Sequence, residues 1–279
     1  MPQIGSDVDR YLRREMLPTV WCPGCGNGSI VQAAAMALER LDLDPDEVVL
    51  VGGIGCSGRT PFYMNTNAFH TTHGRALAFA TGLKLANPGL TVIVTTGDGD
   101  ALAIGGNHFI HAARRNLDVT VLLYNNAIYG MTGGQIAPTS PSGTHSTTTA
   151  LGSLDHPFNT VELALAAGAT YVARTTTFDM QEMPLYIEEA IRHKGFSVVE
   201  ILTQCPTYFG RLNRIGAAPD MLLWERDVTE DLPWDGNSPI RREDLLGTLT
   251  TGVFRDAKRP EYTSEYGRLC AQAGGTYGV

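Results

Sequence analysis

The stretch LTVIVTTGDGD, residues 90–100, runs from an apolar segment into two glycines that flank an aspartate. A short run of β-branched residues that ends in a glycine-rich turn is typical of a buried strand. The stretch EVVLVGGIG, residues 47–55, has the same form and also ends in glycines. Continuous apolar strands of this kind favour a parallel sheet that is buried on both faces.

Helical stretches rich in alanine and leucine alternate with these strands. We expect helices at 28–41, 73–88, 105–116, 159–169 and 180–194, and further strands at 117–126, 170–174 and 196–206. Ser29 lies near the start of the first helix, and Asn87-Pro88 ends the second. The alternation predicts an α/β fold in which helices cover both faces of a parallel sheet.

Two segments depart from this alternation. Residues 127–158 are rich in glycine, threonine, serine and proline, and long irregular loops inside a compact domain are usually functional. After residue 207 the chain is charged, contains prolines and is weakly periodic. We therefore expect one domain over residues 1–207 and an extended C-terminal tail over residues 208–279, which would pack on that domain or on a partner subunit.

The composition restricts the class of protein. The 279 residues are 43% hydrophobic and 18% charged, with a net charge of −8, which indicates a globular protein. The excess of negative charge disfavours binding to the phosphates of nucleic acids. Apolar runs are too short to span a membrane, and the N-terminus lacks the apolar core of a signal peptide. We expect a cytoplasmic protein with neither nucleic acid nor membrane as a partner.

The five cysteines are the first indication of chemistry. An odd number of cysteines in such a chain argues against a disulfide framework and for metal binding or catalysis. Cys22 and Cys25, in WCPGCGNG, fit a redox dithiol, half of a zinc site or two ligands of an iron–sulfur cluster. Cys56 follows a predicted strand and Cys205 ends another, so all four can converge at one edge of the sheet.

Polar side chains follow two successive predicted strands. Asp98 lies between Gly97 and Gly99 after one strand, and Asn125-Asn126 end the next. Each motif alone is better explained as a simple turn or strand end. Together, at neighbouring strand ends, they offer carboxylate, amide and carbonyl oxygens that suit a Mg²⁺ ion bridging a diphosphate.

Gly-Asp-Gly followed about 25 residues later by Asn-Asn resembles the pattern of thiamine diphosphate enzymes. Over residues 15–210 the chain resembles the beta subunit of 2-oxoacid:ferredoxin oxidoreductases. The stretches that carry the resemblance are WCPGCGNG (21–28), GGIGCSGR (52–59), HTTHGRALAFATGLKLANP (70–88), GDGDALAIGGNHFIHAARRN (97–116), YNNAIYGMTGGQIAPTSP (124–141) and CPTYFGR (205–211). The HGRA and CPTYFGR stretches are most similar to the 2-oxoglutarate branch of the family.

The resemblance implies the thiamine diphosphate-binding fold and a set of ligands. Asp98, the side chain of Asn126 and the backbone carbonyl of Ile128 would bind Mg²⁺. Residues from three loops would enclose the cofactor: Gly97, Gly99, Asp100, Gly130, Met131, Thr132, Gly133, Ile54, Gly55 and Ser57. A [4Fe–4S] cluster would be held by four thiols, those of Cys22, Cys25, Cys56 and Cys205. Cys270 matches no motif and is left as a spare cysteine.

The resemblance also implies an activity, the coenzyme A-dependent oxidative decarboxylation of 2-oxoglutarate to succinyl-CoA and CO₂, in either direction. Electrons would pass through the cluster to ferredoxin. Pyruvate and branched-chain 2-oxoacids are alternative substrates. A non-oxidative thiamine diphosphate decarboxylase or synthase, or an electron-transfer module with a vestigial thiamine site, are alternative functions. A glutamate that activates the cofactor is expected on a separate alpha subunit, in a dimer of alpha-beta heterodimers.

The sequence HTTHGRA offers three candidates for the rim of the active site. They are His70, His73 and Arg75, and an imidazole there could hydrogen-bond a carboxylate or a reaction intermediate. An equally good interpretation is the start of a helix, with His73 as its cap and Arg75 in solvent.

Overall fold

The computed structural model describes residues 8–232 and 249–277. Its strands are β1 (Val48–Gly52), β2 (Asn67–His70), β3 (Thr91–Gly97), β4 (Val119–Asn125), β5 (Ile128–Tyr129), β6 (Gln135–Ile136), β7 (Tyr171–Thr176), β8 (Phe196–Leu202), β9 (Thr229–Asp231) and β10 (Leu249–Asp256). Its α-helices are α1 (Asn27–Arg40), α2 (Thr60–Tyr63), α3 (Ala76–Ala86), α4 (Gly106–Arg115), α5 (Thr160–Ala167), α6 (Met183–Arg192), α7 (Ala218–Val228) and α8 (Tyr262–Gln272). The expected alternation of strands and helices is confirmed.

One eight-stranded sheet organises the chain, in the order β2-β1-β3-β4-β8-β7-β10-β9. The six strands from β2 to β7 in this order are parallel. β10 joins antiparallel to β7, and β9 pairs parallel with β10. The short strands β5 and β6 form a separate pair. Because the central strands are parallel, their carboxyl ends meet at one edge of the sheet.

Alternate residues of each strand pack on opposite faces of the sheet, as the pleat requires. In β1, Val49 and Val51 pack with α3, α4 and α5, whereas Val48 and Leu50 pack with α1 and α6. Alanines dominate the buried face of α1, so this helix can lie close to the sheet and to α6. Helices therefore cover both faces, as expected. Among the residues that the structure describes, no helix is both long and apolar enough to cross a membrane.

The C-terminal region differs from the extended tail expected over residues 208–279. Its described part contains two helices, α7 and α8, and two strands, and β10 is a member of the central sheet. β10 is anchored by Arg174 of β7, a fully buried side chain whose Nη1 donates to the carbonyl oxygen of Thr250 at 3.2 Å. Regular structure that pairs with the domain therefore extends past residue 207, and contact of this region with a partner subunit stays a prediction.

Helix α7 is held to the domain by a buried carboxyl group. Glu225 is 2% exposed, and its Oε2 lies 2.7 Å from the hydroxyl of Thr177. The same hydroxyl lies 2.6 Å from Oε1 of Gln204. A hydroxyl donates one proton, so Thr177 can bond to both side chains at once only when one of them donates back to it, as a protonated Glu225 would. Burial raises the pKa of Glu225 to about 8, with hydrogen bonds from Thr177 and from backbone N–H groups acting in the opposite direction.

The pKa of Glu225 predicts how stability depends on pH. An unfolded glutamate loses its proton near its ordinary pKa of 4.5, whereas the folded chain keeps this one until about pH 8. Between these values the folded state binds one more proton, so the free energy of unfolding should fall by about 1.4 kcal/mol per pH unit from this group. The Glu225→Gln variant should lack this pH dependence. Above pH 8 its thermal unfolding midpoint should be higher than that of the wild type.

The matched control is Glu230→Gln, which changes an exposed glutamate of β9. This variant should keep the pH dependence of the wild type. If Glu225→Gln shows the wild-type slope of the unfolding midpoint between pH 5 and pH 8, Glu225 is ionised in the folded chain and the assignment is wrong.

Candidate active site

A cleft of about 570 Å³ opens at the carboxyl ends of β1, β3 and β4. Ligands of open parallel sheets bind at this edge. The wall residues that the sequence singled out are Ile54, Gly55, Cys56, Ser57, His73, Gly97, Asp98, Gly99, Asp100, Asn126, Ile128, Gly130, Met131 and Thr132. Asn27, Tyr124 and Tyr129 also line the cleft and were not expected there.

The Gly97-Asp98-Gly99 turn brings a buried carboxylate into the cleft. Asp98 is 2% exposed, and its Oδ2 accepts a hydrogen bond of 2.5 Å from the hydroxyl of Thr139. A Cβ atom on Gly99 would lie only 2.4 Å from the ring of Tyr129, whose hydroxyl donates to the Gly99 carbonyl at 2.9 Å. Only glycine allows this close approach, so the turn is fixed against the loop that follows β4.

Burial raises the pKa of Asp98 to about 7. Hydrogen bonds from Thr139 and from the backbone N–H groups of Gly99 and Ala127 act in the opposite direction. A buried carboxylate is stable in its ionised form only with donors or a cation nearby. Asn126 lines the same cleft, and its Oδ1 accepts from the backbone N–H of Ile128 at 3.3 Å. A carboxylate, an amide oxygen and a carbonyl oxygen together fit the preferences of Mg²⁺.

The two asparagines at the end of β4 have different surroundings. Asn126 lines the cleft, whereas Asn125 is held inside the protein. Nδ2 of Asn125 donates to Oε1 of Glu200 at 2.7 Å, and its Oδ1 lies 3.0 Å from the Thr139 hydroxyl. Glu200, Asn125, Thr139 and Asp98 therefore form a continuous polar chain from the centre of the sheet to the cleft. We name these four residues the Asp98 relay.

The loop after β5 forms part of the wall through Gly130, Met131 and Thr132. Gly133 was expected to contact the cofactor, but it does not line the cleft. Its backbone N–H donates to the Gly130 carbonyl at 3.1 Å, and its φ of +114° closes a turn that favours glycine. Gly133 therefore shapes the loop, whereas residues 130–132 line the cleft.

Asp100 lines the cleft, but its carboxylate is used inside the protein. Oδ1 accepts from the backbone N–H of Gly74 at 2.7 Å, and Oδ2 accepts from the hydroxyl of Thr96 at 2.7 Å. Nδ1 of His73 lies 2.7 Å from the same Oδ1, although the angle is not that of a hydrogen bond. Asp100 therefore fixes the loop that carries His73, a role that differs from the direct cofactor contact expected from the sequence.

Of the three rim candidates, only His73 lies in the cleft. Helix α3 begins at Ala76, three residues later than expected, because Gly74 adopts a φ of +67° and interrupts the helix start. His70 is exposed at the end of β2, with its ring centroid 5.5 Å from that of Phe62. Arg75 uses its guanidinium to donate to the Ile104 carbonyl at 3.1 Å. The geometry of this chain does not support a catalytic role for His70 or Arg75.

Backbone and side-chain contacts join the three loops that carry Cys22, Cys25, Cys56 and Cys205. The indole N–H of Trp21 donates to the Cys56 carbonyl at 2.8 Å. The backbone N–H of Gly26 donates to the Gln204 carbonyl at 3.4 Å. A Cβ atom on Gly130 would lie 3.6 Å from the sulfur of Cys205 and 3.7 Å from that of Cys56. These contacts bring the four cysteines to one end of the cleft.

Burial raises the pKa of the thiols of Cys25, Cys56 and Cys205, to about 12 for Cys25 and about 11 for Cys56. Repulsion from the neighbouring cysteines adds to each shift, which places the four sulfur atoms within electrostatic range of one another. Within residues 8–232 and 249–277, no three His, Cys, Asp or Glu side chains are arranged to hold a metal ion. The cluster expected from the sequence therefore stays a prediction.

Three residues of the site were not predicted from the sequence: the wall residues Tyr124 and Tyr129, and Thr139 behind the wall. Tyr124 lies within β4, and its hydroxyl shares a hydrogen bond of 3.0 Å with Thr60. The apolar pattern of a buried strand does not indicate which of its side chains reaches a cleft. Tyr129 follows the Asn-Asn motif directly, so its proximity to that motif was the available signal. Thr139 lies 41 residues from Asp98, and no local pattern links the two.

Comparison with known proteins agrees with this geometry. Residues 53–201 match the family model of the thiamine pyrophosphate enzyme, C-terminal TPP binding domain. This range contains Cys56, the Gly97-Asp98-Gly99 turn and the Asn125-Asn126 motif, so it covers most of the cleft.

Similar proteins span nearly the whole chain. The 2-oxoglutarate synthase subunit KorB of Methanothermobacter marburgensis is 48% identical over 95% of this chain and 93% of its own length. The 2-oxoglutarate oxidoreductase subunit KorB of Mycobacterium tuberculosis is 51% identical over 77% of this chain and 58% of its own length. Among solved structures, the 2-oxoglutarate:ferredoxin oxidoreductase from Magnetococcus marinus, with 2-oxoglutarate, coenzyme A and succinyl-CoA bound, matches with a TM-score of 0.89 and 34% identity, over 99% of this chain and 94% of that chain. The chain therefore belongs to the thiamine pyrophosphate-binding beta subunits of the 2-oxoacid:ferredoxin oxidoreductases.

Proposed function

We propose that the chain is the beta subunit of a 2-oxoglutarate:ferredoxin oxidoreductase, which decarboxylates 2-oxoglutarate oxidatively to succinyl-CoA and CO₂ and can run in either direction. The observation that carries the proposal is one cleft whose wall contains both Cys56 and the Asp98–Asn126 pair. A non-oxidative decarboxylase or synthase needs only the second of these features. The named substrate of the similar proteins supports 2-oxoglutarate over pyruvate or branched-chain 2-oxoacids.

The residues around Asp98 fit thiamine diphosphate with Mg²⁺. We assign Asp98, the Asn126 amide oxygen and the Ile128 carbonyl as metal ligands, and the turn from Gly97 to Gly99 as a cradle for the diphosphate. The glycines lack side chains, so phosphate oxygens can approach the backbone of this turn closely. When bound, thiamine diphosphate supplies the electron sink that lets a 2-oxoacid lose CO₂. The chain's own task is to hold the metal ligands at fixed positions, which the Asp98 relay does.

The thiols fit an electron acceptor at the other end of the same cleft. We assign Cys22, Cys25, Cys56 and Cys205 as ligands of a [4Fe–4S] cluster, which would take up electrons one at a time. The cluster would bind thiolates, so the raised pKa values of Cys25 and Cys56 mean that these thiols release protons when iron binds. The position of Cys56 on the cleft wall would bring the cluster next to the reacting groups.

The remaining components lie outside this chain. We propose an alpha subunit that carries the activating glutamate, coenzyme A as co-substrate, ferredoxin as electron acceptor and a dimer of alpha-beta heterodimers. The beta-subunit names of similar proteins support a partner subunit. A cytoplasmic location also stays a prediction.

Kinetics of the complex test the function. The chain purified anaerobically with its alpha subunit should reduce ferredoxin with 2-oxoglutarate and coenzyme A, with a higher kcat/KM for 2-oxoglutarate than for pyruvate. The isolated chain, supplied with thiamine diphosphate and Mg²⁺, should show no turnover. A higher kcat/KM for pyruvate would contradict the substrate, and turnover by the isolated chain would contradict the need for an alpha subunit.

Iron analysis tests the cluster. Cys205→Ser should abolish the visible absorbance and the iron of the chain, because it removes one of four thiolate ligands. Cys270→Ser is the matched control, since Cys270 lies on α8 and is not among the converging thiols. The wild type and this control should contain about four iron and four sulfide per chain, as a [4Fe–4S] cluster requires. Zinc in colourless wild-type protein would refute the cluster.

Cofactor titration tests the Asp98 relay. Thr139→Val keeps the shape of the side chain but removes the hydroxyl that donates to Asp98, and Thr139→Ser keeps the hydroxyl. Loss of a group that orients a metal ligand typically lowers metal affinity by about 10- to 100-fold. Calorimetric titration of the complex with thiamine diphosphate at fixed Mg²⁺ should show this loss of affinity for Thr139→Val and not for Thr139→Ser.

Thr148→Val is the control for the Thr139 variants, since Thr148 is exposed in the same loop. Its affinity for thiamine diphosphate should equal that of the wild type. Equal affinity of wild type and Thr139→Val would show that the hydroxyl does not position Asp98.

A further inference from the structure

Asn27, the first residue of α1, is a buried polar side chain without a partner. It is 1% exposed, it lines the cleft, and neither its Nδ2 nor its Oδ1 has a hydrogen-bond partner among the described residues. No other residue in the described part of the chain leaves two side-chain polar atoms buried and unpaired. The amide is therefore the outstanding unsatisfied group of the cleft wall.

The usual reasons for an asparagine at this position do not apply. Asparagine is common as a helix cap, where its oxygen accepts from backbone N–H groups. Here the capping position is Gly26, and the Asn27 oxygen accepts nothing. An unpaired buried amide destabilises the folded state, because its hydrogen bonds to water are lost and not replaced. An apolar side chain of similar volume would avoid this cost, so the position is suboptimal for folding.

The backbone holds Asn27 in a fixed place next to the cysteine loops. A Cβ atom on Gly26 would lie 2.2 Å from Oγ1 of Thr203 and 2.5 Å from Oε1 of Gln204, so only glycine fits there. The backbone N–H of Asn27 also bonds to the Cys25 sulfur. The start of α1 is thereby clamped between two cysteine-bearing loops, and the amide belongs to the wall that also contains Cys56.

An amide offers one donor group and one acceptor, and this pair matches one part of a 2-oxoacid. The 2-oxo oxygen of the substrate accepts a hydrogen bond, and it becomes a hydroxyl, which can also donate, when the adjacent carbon is attacked and the oxygen gains a proton. Nδ2 can donate to this oxygen in both forms, and Oδ1 can accept from the hydroxyl. A carboxylate offers acceptors only, and an ammonium offers donors only.

Building on the function proposed above, we propose that Asn27 contacts the substrate, with its Nδ2 donating a hydrogen bond to the 2-oxo oxygen of the 2-oxoacid. The contact strengthens as negative charge develops on that oxygen, because the surrounding wall excludes water. Asn27 would then recognise the 2-oxo group that all 2-oxoacids share, and not the part of the substrate that differs between them.

Asn27→Leu in the purified alpha-beta complex tests the proposal with two opposite expectations. Leucine removes the unpaired amide at similar volume, so the thermal unfolding midpoint without substrate should rise. The rate at which 2-oxoglutarate bleaches the cluster absorbance in a single turnover should fall about 100-fold, as expected for one lost donor at a developing negative charge. The dissociation constant for thiamine diphosphate and the iron content should stay within about twofold of the wild type.

Asn27→Asp is the second variant, because it keeps the shape and the acceptor but lacks the donor, and it should slow the single turnover at least as much. Asn107→Leu is the control, an exposed asparagine in the first turn of α4, and it should leave every readout unchanged.

Three results would overturn the proposal. An unchanged single-turnover rate would show no substrate contact, a parallel loss of thiamine diphosphate affinity would assign Asn27 to the cofactor, and loss of iron or a lower unfolding midpoint would assign it to the cysteine loop. A wild-type complex that 2-oxoglutarate does not reduce would instead refute the proposed function.

Discussion

The ion pair between Arg174 and Glu200 connects the fold to the cleft. The two residues are register neighbours on β7 and β8, both are about 1% exposed, and Nε of Arg174 donates to Oε2 of Glu200 at 2.7 Å. The arginine also bonds the side chain of Asn159 and the carbonyl of Thr250, so it joins α5 and β10 to the sheet centre. The other oxygen of Glu200 holds Asn125 and begins the Asp98 relay.

Such a pair is stable only when every polar atom has a partner. Removing one member of a buried ion pair typically costs about 3–5 kcal/mol, because the other charge is left unpaired in the interior. Here each of the three guanidinium nitrogens has a partner, and the group fixes both the antiparallel strand β10 and the glutamate that orients Asn125. The C-terminal strand and the candidate metal ligand Asp98 are thus positioned by one network, and the central sheet is incomplete without residues beyond 207.

The features that the sequence predicted are those encoded locally. The strand-to-turn motif at residues 90–100 contains its apolar run, its glycines and its aspartate in one stretch, so both the strand and the cleft position of Asp98 were expected. β10, with the sequence LTTGVFRD, contains threonines, a glycine and two charges, and its pairing partner β7 lies more than 70 residues earlier. Long-range pairing also explains why Thr139 and Glu200 were missed, since nothing near them in sequence indicates Asp98.

Helix α7 extends the same reasoning to the cysteine end of the cleft. Ala218 at its start packs against Gly24, between Cys22 and Cys25, where even one added carbon would lie 2.2 Å from the Ala218 Cβ. Trp224 packs against Phe209, four residues after Cys205, and Glu225 reaches Gln204 through Thr177. One helix therefore contacts both the loop that contains Cys22 and Cys25 and the loop that contains Cys205. Cys205 is buried and Cys25 is half-buried, so their positions depend on how these two loops pack. The part of the chain that looked like an appendage in sequence therefore helps to set the spacing of the candidate cluster ligands.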